Sequence, residues 1–288
     1  MEHRKRGERI QRGESMEVTV SGQTMHAVRW GAGTPVIFLS GSSVLFPWME
    51  YGTFLEECSA FCQVTLLERL GYGNSTIPKG PRTIGGAVAE YRQAWKVLGG
   101  PQPVVVMAHS MGFLEALHWA QSAPKEVRAL IGIDGATPES YRMFPIERAA
   151  RTLDLLAKQP LAALLSQAIL RRQWKGLPLC KEEKRMLKRR AKLLFANPAW
   201  RQEAQNLQQG LQAIQQGSEV EQPTLLFVSN GKGTGQTRDQ WRKSAADYCK
   251  EHPAARLIPL DRPHDLYRQG SREIVDAIRS SGLLDEQT

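Results

Sequence analysis

Cysteine is scarce in this 288-residue chain: the four present, at 58, 62, 180 and 249, have neither the paired CxxC spacing of a zinc site nor the density of a disulfide framework. No metal is expected. No run of 18 apolar residues appears, so no membrane-spanning helix is expected. The first fifteen residues carry Arg4, Lys5, Arg6, Arg9 and Arg12 but no apolar stretch of the kind that makes a signal peptide, which points to a reducing, cytoplasmic setting. Phosphate-cradling motifs are also missing. Gly231-Lys232-Gly233-Thr234-Gly235 has neither GxxxxGK[ST] nor GxGxxG spacing and reads as a flexible loop.

What is present is an ordinary globular composition, 41% hydrophobic and 23% charged, with a net charge of +9. A chain of this length buries roughly 75% of its unfolded surface, so a core forms without covalent staples. The charge is uneven. Residues 138–219 hold fifteen Lys/Arg against seven acids, residues 1–15 hold five against three, and the remainder is close to neutral. No recognised nucleic-acid-binding motif accompanies that charge, so no nucleic-acid partner is expected.

Short apolar runs at Val36–Leu39, Val64–Leu67, Val104–Met107 and Ala129–Ile133 have the texture of strands buried on both faces, and strands resume at Thr224–Val228 and Arg256–Leu260. Met16–Val20 and Met25–Trp30 flank Ser21-Gly22 as a hairpin. Between the runs lie helical patterns, such as Val88, Tyr91, Trp95 and Leu98, ended by Gly99-Gly100. From Pro138 to about residue 219 strand signals vanish and Lys, Arg, Gln and Leu dominate. The expected fold class is α/β, a mostly parallel central sheet flanked by helices, with an all-helical insertion. The expected parts are a basic tail (1–15), a core (16–137 and 220–288) and a helical lid (138–219).

The motif richest in chemistry is Ala108-His109-Ser110-Met111-Gly112, where an apolar strand turns directly into a helix. A serine there is lifted off the sheet edge on a sharp turn, and small residues on either side let the two backbones pass. A serine nucleophile needs a base. His264 follows the last strand and precedes the final helix, at the same sheet edge. The other histidines are weaker candidates: His3 lies in the tail, His26 in the hairpin, His118 mid-helix and His252 in a polar stretch, and His109 is expected to point away.

With these residues in that order, the chain resembles the α/β-hydrolase superfamily in its lid-bearing serine-hydrolase branch. Phe38-Leu39-Ser40-Gly41-Ser42 is similar to the family's oxyanion loop, with Ser-Gly where His-Gly is commoner. Glu68-Arg69-Leu70-Gly71-Tyr72-Gly73-Asn74-Ser75 is similar to the D-x-x-G-x-G-x-S turn, with Glu for Asp, and its expected role is structural. The resemblance implies an oxyanion hole from the backbone N–H groups of Ser42 and Met111. It leaves the acid open. The segment after Val228 holds no carboxylate before Asp239, whereas Asp134 ends the preceding strand; Asp134 is favoured, with Asp239 the alternative.

The implied activity is hydrolysis of an ester or similar acyl bond, needing no cofactor. Alternatives are C–C bond hydrolysis or perhydrolysis on the same fold, or a non-enzymatic small-ligand receptor. Phe46 and Trp48 beside the oxyanion loop, with Phe144, Trp174, Leu177 and Trp200 from the lid, are expected to favour an apolar acyl substrate. The cationic run Lys181–Lys192, interleaved with Met186, Leu187, Leu193 and Leu194, reads as a solvated helix face, with weak contact to an anionic surface as the second reading.

Overall fold

The computed structural model describes residues 13–285 apart from 143–145, 160, 175–176, 178, 191–194 and 196. The basic tail up to Arg12, Phe144, Lys192, Leu193 and Leu194 therefore lie outside the described residues. Eight strands form one sheet: β1 (Glu14–Val20), β2 (Gln23–Trp30), β3 (Pro35–Leu39), β4 (Gln63–Leu67), β5 (Val104–His109), β6 (Val127–Ile133), β7 (Thr224–Val228) and β8 (Ala255–Pro259). Their order is β1-β2-β4-β3-β5-β6-β7-β8. The first two pairings, β1 with β2 and β2 with β4, are antiparallel and the rest parallel.

Ser21 (φ 48°) and Gly22 (φ 73°) make the two-residue turn of the β1–β2 hairpin, both in the left-handed region that such a turn needs. The inner parallel strands β3, β5, β6 and β7 are mostly apolar and buried because helices cover both faces, whereas the edge strand β8 stays partly exposed. On one side lie α2 (Ile84–Val97), α3 (Gly112–Ser122) and α8 (Arg238–Glu251); on the other lie α1 (Pro47–Cys58), the single turn α9 (Leu266–Gln269) and α10 (Ser271–Arg279). Strand β5 shows the two-residue alternation directly. Val104, Val106 and Ala108 join the core under α2 and α3, while Val105 and Met107 join the core under α1.

Between β6 and β7 the described residues contain helices and no strand: α4 (Ile146–Ala157), α5 (Ala162–Gln173), α6 (Lys181–Arg190) and α7 (Pro198–Gln215), after a short 3₁₀ turn. Cys58 closes α1, but Cys62 lies beyond it in the turn before β4, its thiol donating to the Cys58 carbonyl, so the two do not share a helix face.

One buried polar group fastens this segment to the sheet. Arg69, after β4, is fully buried. Its guanidinium donates to Glu115 Oε2 of α3 at 2.7 Å, to the Ser40 carbonyl at 2.9 Å and to Tyr91 Oη of α2 at 3.0 Å, and it lies 3.6 Å from Glu203 of α7. Tyr72 donates to the same Glu203 carboxylate at 2.6 Å. Burial pushes the Glu203 carboxyl above its ordinary value despite the arginine. Removing one member of such a buried pair strands the other's charge. Arg69→Ala is expected to lower unfolding free energy by about 3–5 kcal/mol, read as a shifted urea midpoint with the far-UV spectrum of the folded state retained.

Candidate active site

Ser110 sits between β5 and α3 with φ 52°, a left-handed backbone that a non-glycine residue holds only when its surroundings impose it. The imposition is visible. The Ser110 carbonyl accepts from Ala136 N–H at 3.0 Å, and α3 starts so close to the β3 end that a Cβ on Gly112 would stand 2.7 Å from the Ser40 oxygen. Gly112 is therefore obligatory in this turn, whereas the Ala108 methyl is absorbed in the core.

His264 follows β8 in the loop before α9. Its Nε2 lies 3.0 Å from Ser110 Oγ, and its Nδ1 lies 2.5 Å from Asp134 Oδ2. Asp134 stands just after β6 with φ 49° and is wholly buried. Its other oxygen accepts the Ser229 N–H at the end of β7 and the Trp241 indole N–H of α8, both at 2.7 Å. Asp239, the alternative acid, is exposed in the first turn of α8, and no hydrogen bond or ion pair joins it to His264 among the described residues. The Gly231–Gly235 loop packs beside the histidine instead of lying free: the Lys232 carbonyl accepts the His264 N–H at 2.9 Å.

Ser42 and Met111 both line the cavity above Ser110. Among the described residues, no protein acceptor takes either backbone N–H. Gly41, beside them, is hemmed in: a Cβ there would come within 2.9 Å of His109 Nδ1 and 3.1 Å of Ser110 Cβ.

His109 departs from expectation. Its ring is not turned away from the site but lies 4.7 Å, centroid to centroid, from the His264 ring. Its Nε2 is 3.1 Å from the His264 carbonyl oxygen and its Nδ1 is 2.9 Å from Tyr51 Oη of α1. The alternation of β5 explains this, because His109 follows Met107 onto the α1 face. Tyr51 and Trp241 carried no sequence signal; His109 had one, its place next to Ser110 on the α1-facing register.

The cavity has a volume of about 1090 Å³. Ile146, Leu153, Ile169, Trp174, Trp200 and Leu207 from the β6–β7 segment give it an apolar wall, joined by Phe46; Glu50, Lys232, Gln236 and Arg268 bring polar groups to its rim. Trp48 is a correction. It is half-buried on the first turn of α1, where its backbone N–H donates to Glu68 at 3.3 Å, and its side chain packs against both the core under α1 and the cluster of Phe46, Met49 and Leu170, without lining the cavity. Leu177 likewise packs in the cluster around Leu170 without lining it. Glu68 is buried and holds its turn together, accepting Asn74 N–H and bonding His26 Nδ1, each at 2.8 Å. Among the described residues, no group of three or more His, Cys, Asp or Glu side chains is placed to hold a metal ion, and no helix is long and apolar enough to cross a membrane.

A strained serine beside a histidine, on the C-terminal edge of a parallel sheet, is an arrangement that hydrolytic chemistry can use. The chain belongs to the alpha/beta hydrolase fold family, whose sequence model matches residues 36–269. It is 26% identical over 269 residues to the uncharacterized protein YbdG of Bacillus subtilis (strain 168), covering 89% of this chain and 82% of that one. Among solved structures it resembles a thermophilic esterase from Thermogutta terrifontis (TM-score 0.70, 18% identity, 95% of this chain and 100% of that one). It also resembles an epoxide hydrolase from Vigna radiata (TM-score 0.71, 16% identity, 94% and 99%). At these identities the structural likeness is one of fold.

Burial, and then the neighbouring His264, hold the His109 ring well below its ordinary pKa of 6.5. The unfolded chain therefore binds a proton on this ring below about pH 6.5 that the folded chain refuses. Stability is complete above that pH and is lost as pH falls toward the lower folded value. Between pH 7 and 5.5, wild type is expected to lose roughly 1 kcal/mol more than His109→Gln in urea unfolding.

Proposed function

We propose that the protein is a serine hydrolase that cleaves an ester or similar acyl bond through an acyl-enzyme. Ser110 Oγ attacks the acyl carbon while its proton passes to His264 Nε2. The Asp134 carboxylate holds Nδ1–H, which fixes the ring tautomer and stabilises the imidazolium that forms. The carbonyl oxygen takes the developing charge against the N–H groups of Ser42 and Met111, donors already oriented before the reaction begins. Collapse of the tetrahedral adduct expels the alcohol with the proton from Nε2. Water then attacks the acyl-enzyme as its proton passes to Nε2, and collapse of the second adduct releases the acid while Nε2 returns that proton to Ser110 Oγ.

The observation that carries this reading is the unbroken contact from Ser110 Oγ through His264 to Asp134 at the floor of the cavity. A hydroxyl at position 110, where a carboxylate nucleophile would be needed, disfavours epoxide- or haloalkane-type chemistry through an aspartate. The apolar wall supports an apolar acyl group, with residues 138–219 acting as a lid over it. The exposed Lys181, Lys184, Arg185 and Lys188 of α6 belong to the same proposal as a weak contact with anionic surfaces.

Kinetics on a series of p-nitrophenyl esters test the reading. Turnover is expected to rise from acetate to hexanoate as the acyl chain fills the apolar wall. Ser110→Ala is expected to lower kcat by about 10⁶-fold, and Asp134→Asn by about 10⁴-fold. Asp239→Asn is expected to stay within about twofold of wild type, since it touches nothing in the site. A protein that binds these esters without turning them over would instead be a receptor.

A further inference from the structure

His109 is buried beside the site, and the mechanism above gives it no task. Its two ring nitrogens each face one polar group. The His264 carbonyl at Nε2 can only accept, so Nε2 carries the proton. Burial and the nearby His264 keep the ring from taking a second proton, so Nδ1 must accept. Tyr51 O–H is the donor to Nδ1, which leaves the Tyr51 oxygen to accept the Gly41 N–H at 3.2 Å. Every group has a single role available. The bonds run Gly41 N–H to Tyr51, Tyr51 O–H to His109 Nδ1, and His109 Nε2–H to the His264 carbonyl. The Tyr267 hydroxyl is turned elsewhere, onto Glu50, and does not compete.

The two ends of this chain matter. Gly41 precedes Ser42, and His264 supplies the base. Their loops leave β3 and β8, which have β5, β6 and β7 between them, so no strand pairing ties one loop to the other. We infer that Tyr51 and His109 are positioning residues, a hydrogen-bonded strut that sets the oxyanion loop and the base loop at a fixed separation across Ser110. The inference rests on the reading of Ser110 as nucleophile and His264 as base. The strut has an electrostatic side as well. When His264 takes the serine proton, its neighbour 4.7 Å away must stay neutral, and the Tyr51 donor occupies the nitrogen that would otherwise accept a proton.

Tyr51→Phe is the sharpest probe, because the ring keeps its packing on Phe38 (4.8 Å) and Tyr267 (4.6 Å) and only the hydroxyl goes. It is expected to lower kcat on a p-nitrophenyl ester by roughly 10- to 100-fold, with KM within about twofold. His109→Leu is expected to fall as far. His109→Gln, whose amide can donate to the His264 carbonyl and accept from Tyr51, is expected to recover most of that loss. Melting temperatures identify any variant that is merely misfolded. If folded Tyr51→Phe and His109→Leu keep kcat within twofold of wild type, or if Gln does no better than Leu, the strut has no positioning role.

Imidazole ¹⁵N spectra read the same chain without any turnover. His109 is expected to stay the neutral Nε2–H tautomer between about pH 5 and 8, and Tyr51→Phe is expected to shift the His264 ring signals. Titration of His109 in that window, or an Nδ1–H tautomer, overturns the strut. Absence of ester turnover by wild type with these spectra intact would count against the hydrolase reading instead, leaving the strut's geometry standing.

Discussion

A carboxylate removed from water must be paid for with donors, and the Asp134 side chain, wholly buried at the end of β6, has three. They come from three separate places: the backbone after β7, the indole of α8, and the imidazole of the loop after β8. Each must reach a single pair of oxygens, so the end of the sheet can close in only one way. That closure places His264 over the β5–α3 turn, where Ser110 is held with a left-handed backbone. The aspartate is thus a structural centre whatever its chemical role.

Around that centre the molecule divides its labour. The sheet and its flanking helices supply rigid points, the ends of β3, β5, β6 and β8, from which short loops deliver the polar groups. The β6–β7 segment supplies the apolar wall of the cavity and is fastened to the sheet by the buried Arg69–Glu203 contact and by Asn197, whose amide donates to the Gly71 carbonyl at 3.0 Å. Selectivity can therefore vary through α4, α5 and α7 without disturbing the positions of Ser110, His264 and Asp134.

Much of this was legible in the sequence because burial leaves a plain record. Strands covered on both faces read as short apolar runs, and the runs at Val36–Leu39, Val64–Leu67, Val104–Met107 and Ala129–Ile133 are buried strands. Ser110 and His264 stand out because each interrupts a strand-to-helix passage. The acid stayed open between Asp134 and Asp239, since what distinguishes them is contact with Ser229 and Trp241, some hundred residues further along the chain. Trp48 was misplaced for a related reason: its side chain packs against residues of β3, α1 and α5 that are brought together only in the fold. The role of His109 was hidden because the ring's surroundings are assembled from β3, α1 and the β8–α9 loop, none of them local to it.

On the proposed reading, Ser110 is activated by its neighbours. Treatment with a fluorophosphonate probe followed by peptide mapping tests it most directly, because that reagent captures an activated serine hydroxyl whatever the natural substrate is. A single adduct is expected, on the peptide carrying Ser110, and none after His264→Ala. An unlabelled wild-type protein, or an adduct on a different residue, would contradict it.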